Sequence, residues 1–339
     1  MPKMSLNRNA FEIVKEMMDK ADEIHAKIVE LKNGATIISA DGFKAGMQIS
    51  KCRYGGLVNM HIGWNEVEDL RLPSLNIWTD HPALAILGSQ VGSRPEQWDL
   101  TDDFKGLLGK GYPIVAGPAR ALAVDRPEVY KMLGYEDDSD IAVMTVQLDK
   151  TPLEKFPSEK LVDTVARKCG VNPENIYILL SMNQTLAGII QIASCTLEPA
   201  LLSAWHLYHY NVTKFKHACG IVPIVPVTPD AFKAMTMAND SEHYCPRNIY
   251  YLETEEGEDV AEVAKKLILR TTCKAYGMLY EEAWAKPEIG NDFFKGSYFQ
   301  GWMMALASIT INDLRIGKVC TAGEARFDLL KKALASLQC

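Results

Sequence analysis

The stretch 141–180, IAVMTVQLDKTPLEKFPSEKLVDTVARKCGVNPENIYILL, decides the fold. Ile141–Gln147 predicts a strand, because apolar and β-branched residues run without a break. Ser158–Cys169 has apolar residues at helical spacing and stops at Gly170, predicting an amphipathic helix with a glycine end. Ile176–Leu180 predicts the next strand. Strand, helix and strand in succession point to an α/β fold.

Working upstream, the spacing predicts a first helix capped by Asn7 or Asn9 and running to about Glu30. Short strands are expected at Ala35–Ser39, Leu57–Ile62 and Leu75–Trp78, the last leading directly into Thr79-Asp80-His81-Pro82. Ala83–Gln90 predicts a helix, 91–116 a loop and domain transition, and Gly117-Pro118-Ala119-Arg120-Ala121 the start of another helix with proline in its first turn. Downstream, Ile249–Glu253 and Ser308–Asn312 predict strands. Val319–Thr321 returns on the latter around Ile316-Gly317-Lys318, and a helix is expected over Ala325–Leu337.

Composition narrows the class. At 339 residues, 47% hydrophobic and 23% charged, the chain can bury a sizeable core, and two associated domains are expected. The net charge of −7 argues against nucleic acid as partner, since phosphate binding needs a concentrated basic face. The first apolar residues are interleaved with charges, unlike a signal peptide. The longest apolar run, Leu186–Ser194, is interrupted by Gln191 and is too short to span a bilayer. The expectation is a cytoplasmic protein with no membrane partner. Eight cysteines without a C-x-x-C pair read as free thiols in a reducing compartment.

No Walker loop, G-x-G-x-x-G, H-E-x-x-H or G-x-S-x-G motif occurs. Gly106, Gly109 and Gly111 lack the strand–turn–helix context of a dinucleotide site. His206 and His209 stand three apart without an obvious third ligand, so an aromatic-rich packing surface with Trp205, Tyr208 and Tyr210 is favoured over a metal site. The stretch Thr185–Trp205 is apolar except that Gln191, Ser194/Cys195 and Glu198 recur along one helical face. Pro199 disfavours helical geometry at Glu198 and predicts a kink or helix end there. A carboxylate on a buried stripe is either functional or merely exposed where the helix surfaces, or caps a loop. Spacing alone leaves these alternatives open.

From end to end the chain resembles the methenyltetrahydromethanopterin cyclohydrolase family. The words that carry the resemblance are Thr79-Asp80-His81-Pro82-Ala83, Gly117-Pro118-Ala119-Arg120-Ala121-Leu122-Ala123 and Tyr135-Glu136-Asp137-Asp138. They continue with 169–177 (CGVNPENIY), Asn239-Asp240, Asn312-Asp313-Leu314, Gly317-Lys318 and Thr321-Ala322-Gly323-Glu324. The resemblance implies two α/β domains with a cleft between them, here drawn as 1–100 plus about 295–339 against 101–294. It implies a homotrimer, no metal and no cofactor beyond the pterin carrier that is the substrate. The reaction it implies is addition of water to a methenyl bridge and opening to the formyl derivative, in one-carbon metabolism and methanogenesis.

By the same resemblance Glu198 is the catalytic base, and Thr79, Asp80, His81, Arg120, Gln191, Cys195, Asn239, Asp240 and Lys295 hold the substrate. One residue departs in a way that bears on chemistry. The family has Arg three residues before this Glu, where the chain has Cys195. Arg would hold the carboxylate ionised, shifting its pKa by about 1–3 units. Either another cation, with Arg120 and Lys295 as candidates, serves Glu198, or the pair is broken. In the latter case the chain acts on another folate or pterin carrier, or binds a pterin without turnover. The segments 181–184, 241–247 and 294–299 also differ from the family's words.

Overall fold

The computed structural model describes residues 4–337 apart from 68–69, 89–99, 101–103, 105–113, 150–152, 154–155, 269–270, 272, 274 and 287–304. Among the described residues there are eleven strands: β1 (Lys27–Glu30), β2 (Thr36–Ser39), β3 (Asn59–Val67), β4 (Leu70–Thr79), β5 (Ile114–Ala116), β6 (Ala142–Leu148), β7 (Ile176–Met182), β8 (Phe215–Pro223), β9 (Arg247–Leu252), β10 (Ser308–Asp313) and β11 (Val319–Gly323). They form two sheets, in an α/β arrangement as the sequence predicts.

The chain divides into two compact units. One comprises Met1–Asn59, Leu84–Gln191 and Val227–Phe232; the other comprises Met60–Ala83, Ile192–Pro226 and Lys233–Cys339. This differs from the division into 1–100 plus 295–339 and 101–294. The cause is strand pairing: β2 lies parallel to β7, which draws the N-terminal segment into the sheet of β6 and β7, whereas β4 pairs with β8.

The first unit has the order β1-β2-β7-β6-β5, with β2, β7 and β6 parallel and the edge strands antiparallel. All seven residues of β6 are buried. Met144, Val146 and Leu148 join Leu161, Val165 and Cys169 in one core, while Val143 joins Val14, Ile49 and Cys52 in another. Apolar burial on both faces explains the unbroken hydrophobic run that the sequence displays there. The helix Glu159–Cys169 begins at Ser158, whose Oγ accepts from the Leu161 amide at 3.2 Å, and ends on Gly170 at φ 67°. That positive φ favours glycine, as the sequence suggests.

Three local expectations are corrected. The first helix is Leu6–Asp19, capped by Ser5 rather than Asn7 or Asn9, and Lys27–Glu30 is a strand. Asn7 is fully buried; its amide donates to the Pro118 carbonyl (2.8 Å) and Asp137 (2.9 Å) and accepts from the Val143 amide (3.0 Å). Long-range bonds therefore take the side chain that a local cap would have used. Within the expected loop 91–116, Ile114–Ala116 pairs antiparallel with β6 as a short edge strand. Also unread in the sequence are strand β8 and the helices Phe43–Arg53 and Ala231–Tyr244; irregular apolar spacing hides the periodicity of β8 and of Ala231–Tyr244.

The second unit has the order β11-β10-β9-β8-β4-β3. The hairpin of β10 and β11 pairs Thr310 with Thr321, as predicted from the turn at Gly317. Ile192–Leu207 packs on the buried face of this sheet. Among the described residues Trp78 and Ile221, at 39% and 38% exposure, line a groove on this sheet together with Cys219 and Ile249.

Candidate active site

A helical run spans Leu186–Leu207, 22 residues, changing its winding along the way. Leu186–Ala193 is α-helical, Ser194–Leu197 is a 3-10 turn, Glu198–Leu202 is α-helical and Ser203–Leu207 is wound as a π-helix. The run is long and apolar enough to cross a membrane, beyond what the interrupted 186–194 segment suggests. In the structure 94% of its most apolar 18-residue window is buried inside the protein, which is what its composition serves here.

Pro199 explains the tight turn. In a regular helix its N–H would bond the carbonyl four residues back, that of Cys195; proline has no N–H. The Glu198 amide takes over that carbonyl instead, as a 3-10 bond. Glu198 itself keeps right-handed helical angles (φ −75°, ψ −45°), against the expectation from the following proline. It is the first residue of a helical segment, so the predicted change in helix geometry falls at this point although Glu198 is not expelled from the helical region.

Two β9 residues fasten this turn to the sheet. Asn248 donates from Nδ2 to the Thr196 carbonyl at 2.6 Å, and the Tyr250 hydroxyl donates to the Leu197 carbonyl at 3.1 Å. Gly220 on β8 leaves the space for this, because a Cβ there would collide with Asn248 Oδ1. The polar stripe is buried throughout: Gln191, Ser194, Cys195 and Glu198 are all below 8% exposure. Thus the reading in which Glu198 merely surfaces is set aside, and a buried carboxylate sits on a helix pinned by hydrogen bonds.

The remaining candidates fall into separate settings. Thr79 ends β4, buried, with Oγ1 accepting from the His81 amide at 3.0 Å. Asp80 and His81 are exposed, and Asp80 lies 2.7 Å from His217 Nδ1 on the adjacent β8. Asn239 donates to the Met235 carbonyl one turn back on its own helix. Asp240 is buried and accepts from the Tyr280 amide at 2.7 Å, and burial raises its pKa well above the ordinary carboxylate range. Arg120 and Gln191 belong to the first unit. Arg120 is buried in the 3-10 turn Pro118–Ala121, and that burial lowers its pKa. Lys295 lies outside the described residues, as do Gly106, Gly109, Gly111 and the segment 294–299.

Some residues were not legible as candidates. Arg53 is fully buried, stacks over the Tyr54 ring and donates to the Gln191 carbonyl. In sequence it looks like one more charge at the end of a helix. His206 and His209 are exposed, and no cluster of three or more His, Cys, Asp or Glu able to hold a metal occurs among the described residues. The seven described cysteines are free thiols, and burial pushes Cys169 up to about 12 and Cys273 to about 11.

The sequence profile of the family described as "Cyclohydrolase (MCH)" matches residues 5–334. Curated relatives include the methenyltetrahydromethanopterin cyclohydrolase of Methanothermobacter marburgensis, 36% identical over 97% of this chain and 99% of the relative. Those of Methanobrevibacter smithii and Methanocaldococcus jannaschii are 36% and 34% identical, again nearly end to end. The chain belongs to the cyclohydrolase (MCH) family. Membership in the MCH family confirms the resemblance and its enzyme class. The residues assigned to the MCH site remain assignments by motif, and the geometry above bears on each of them separately.

Proposed function

We propose that this protein catalyses the reversible hydrolytic opening of methenyltetrahydromethanopterin to the formyl derivative. Family membership over nearly the whole chain carries this reading. The buried Glu198 supports it chemically. The methenyl bridge is an amidinium-like cation with an electrophilic carbon. Water adds to that carbon, a C–O bond forms, and Glu198 accepts the proton released from the water. A C–N bond then breaks as a proton passes to the departing nitrogen. Glu198 also stabilises the bridge cation electrostatically, and general-base assistance contributes roughly 10²–10⁴ in rate.

In this reading Arg120, Gln191, Cys195, Asn239, Asp240, Lys295 and the Thr79–His81 turn hold the pterin. The protein works in the cytoplasm as a homotrimer, without metal or redox cofactor and without nucleic-acid or membrane partners. The net charge of −7 supports the lack of a nucleic-acid role, and the trimer rests on family likeness. The buried thiol of Cys195 within the polar stripe favours one second reading. With no cation at that position, the chain would bind a pterin without turnover or act on another carrier.

The test is loss of the methenyl chromophore on mixing with methenyltetrahydromethanopterin. Turnover by the wild type that falls at least about a hundredfold in Glu198→Gln is expected. Saturable binding without turnover would establish the second reading.

A further inference from the structure

At the carboxyl ends of β6 and β7 the first unit holds a directional chain of buried amides. Gln147 Nε2 donates to Asn183 Oδ1 at 2.6 Å and to the Gly188 carbonyl at 3.0 Å. Asn183 Nδ2 donates to Asp149 Oδ1 at 2.7 Å. A backbone carbonyl and a carboxylate only accept, so both amides have their orientation fixed at the two ends of the chain. Gly188 is held in place by close approach, since a Cβ there would collide with the Met182 carbonyl.

Among the described residues this leaves Gln147 Oε1 as an acceptor of fixed position with no donor. Ser181, the register partner of Gln147 on β7, likewise has a hydroxyl without a partner. The two side chains are 1% and 2% exposed. Proteins rarely leave such buried atoms unpaired, and an internal water or a bound ligand group are the two occupants that would satisfy this pair. Carboxyl ends of parallel strands are also where open α/β sheets bind their ligands.

We propose that Gln147 and Ser181 form the recognition subsite for the N–H-bearing edge of the pterin ring, an inference that rests on the function proposed above. Gln147 Oε1 accepts from the ring's amino group, and the Ser181 hydroxyl bonds the adjacent polar ring atom. Gln147, Asn183 and Asp149 then act as a relay of dipoles that keeps the acceptor aimed at the ring. No covalent step is involved. The competing occupant is an internal water that satisfies the same two atoms.

Ser181→Ala is the cleaner probe, because no described residue bonds its hydroxyl. Gln147→Met removes the acceptor but also unpairs Asn183, so its melting temperature must be read alongside. Two quantities are measured: KM for methenyltetrahydromethanopterin, and Kd for a reduced pterin fragment lacking the methenyl bridge. The expected result is that Ser181→Ala raises both about tenfold, with kcat falling less than KM rises. A fragment bound equally by wild type and Ser181→Ala, or by neither, overturns the subsite and assigns the pair to a water. Failure of the proposed function looks different: the wild type gives no turnover, while the fragment's Kd still decides the subsite.

Discussion

At the scale of single residues, one helix carries two buried ionisable groups whose titrations oppose each other. Burial pushes His243 down to about 3 and raises Asp240 well above its ordinary value. An unfolded histidine protonates near 6.5, so the stability contributed by neutral His243 is complete above that pH. It is lost as pH falls from about 6.5 towards 3, by up to about 1.4 kcal/mol per pH unit. For Asp240 the sign reverses: its contribution is complete below about 3.9 and is lost as pH rises towards its folded value. Because the two contributions oppose each other between about pH 4 and 6.5, the sign is read from the variants: the urea-midpoint profile of His243→Gln should have a less positive slope with pH than that of the wild type. In Asp240→Asn, midpoints should fall less on the alkaline side than in the wild type. A His243→Gln profile parallel to the wild type would refute the first assignment. Neither behaviour was legible from the sequence, in which Asn239-Asp240 is a motif word and burial is invisible.

At the scale of elements, the strands and helices with one clear period were readable. β6, β7, the helix Glu159–Cys169 and the β10–β11 hairpin all fall within one or two residues of their predicted ends. β8 was missed because its inward and outward residues do not alternate cleanly, with a bulge between Phe215 and His217. In sequence Ser5 is not distinguished from Asn7 as a cap, and only the fold shows Asn7 bonded elsewhere. The helix that bears Glu198 was recognised, but what holds it to β9 could not be. Asn248→Ala removes a buried donor from the Thr196 carbonyl and should cost about 1–3 kcal/mol in chemical denaturation. Tyr250→Phe should cost about 1 kcal/mol by loss of the bond to Leu197. Gly220→Ala should destabilise at least as much as Asn248→Ala, since its methyl group meets Asn248 directly. If all three variants unfold with the wild-type midpoint, the turn is not held by these contacts.

At the scale of the whole molecule, the class was legible and the partition was not. Alternating strands and helices already indicate an α/β chain, but no local pattern announces that β2 pairs with β7 across more than a hundred residues. The expected division of 1–100 plus about 295–339 against 101–294 therefore differs from units in which Leu84–Gln191 joins Met1–Asn59. The motif words fared differently: they identified the family, but they do not display contacts such as that of Asp240 with the Tyr280 amide. Light scattering tests the assembly: the proposed trimer should give three times the chain mass of 37.7 kDa. A monomeric mass would remove the trimer from the proposal.

The winding of the core helix has a geometric consequence. A 3-10 segment turns about 20° more per residue than an α-helix, so Ser194–Leu197 advances the screw ahead of its regular phase. The π-wound Ser203–Leu207 lags it by turning less. The two defects have opposite sign and flank Glu198, so the overwinding before the carboxylate is unwound again by the time the run ends at Leu207. The rotational offset is thus largest over the residues around the carboxylate. An insertion or deletion of one residue inside that interval would spread the mismatch along the helix and turn its buried face away from the sheet.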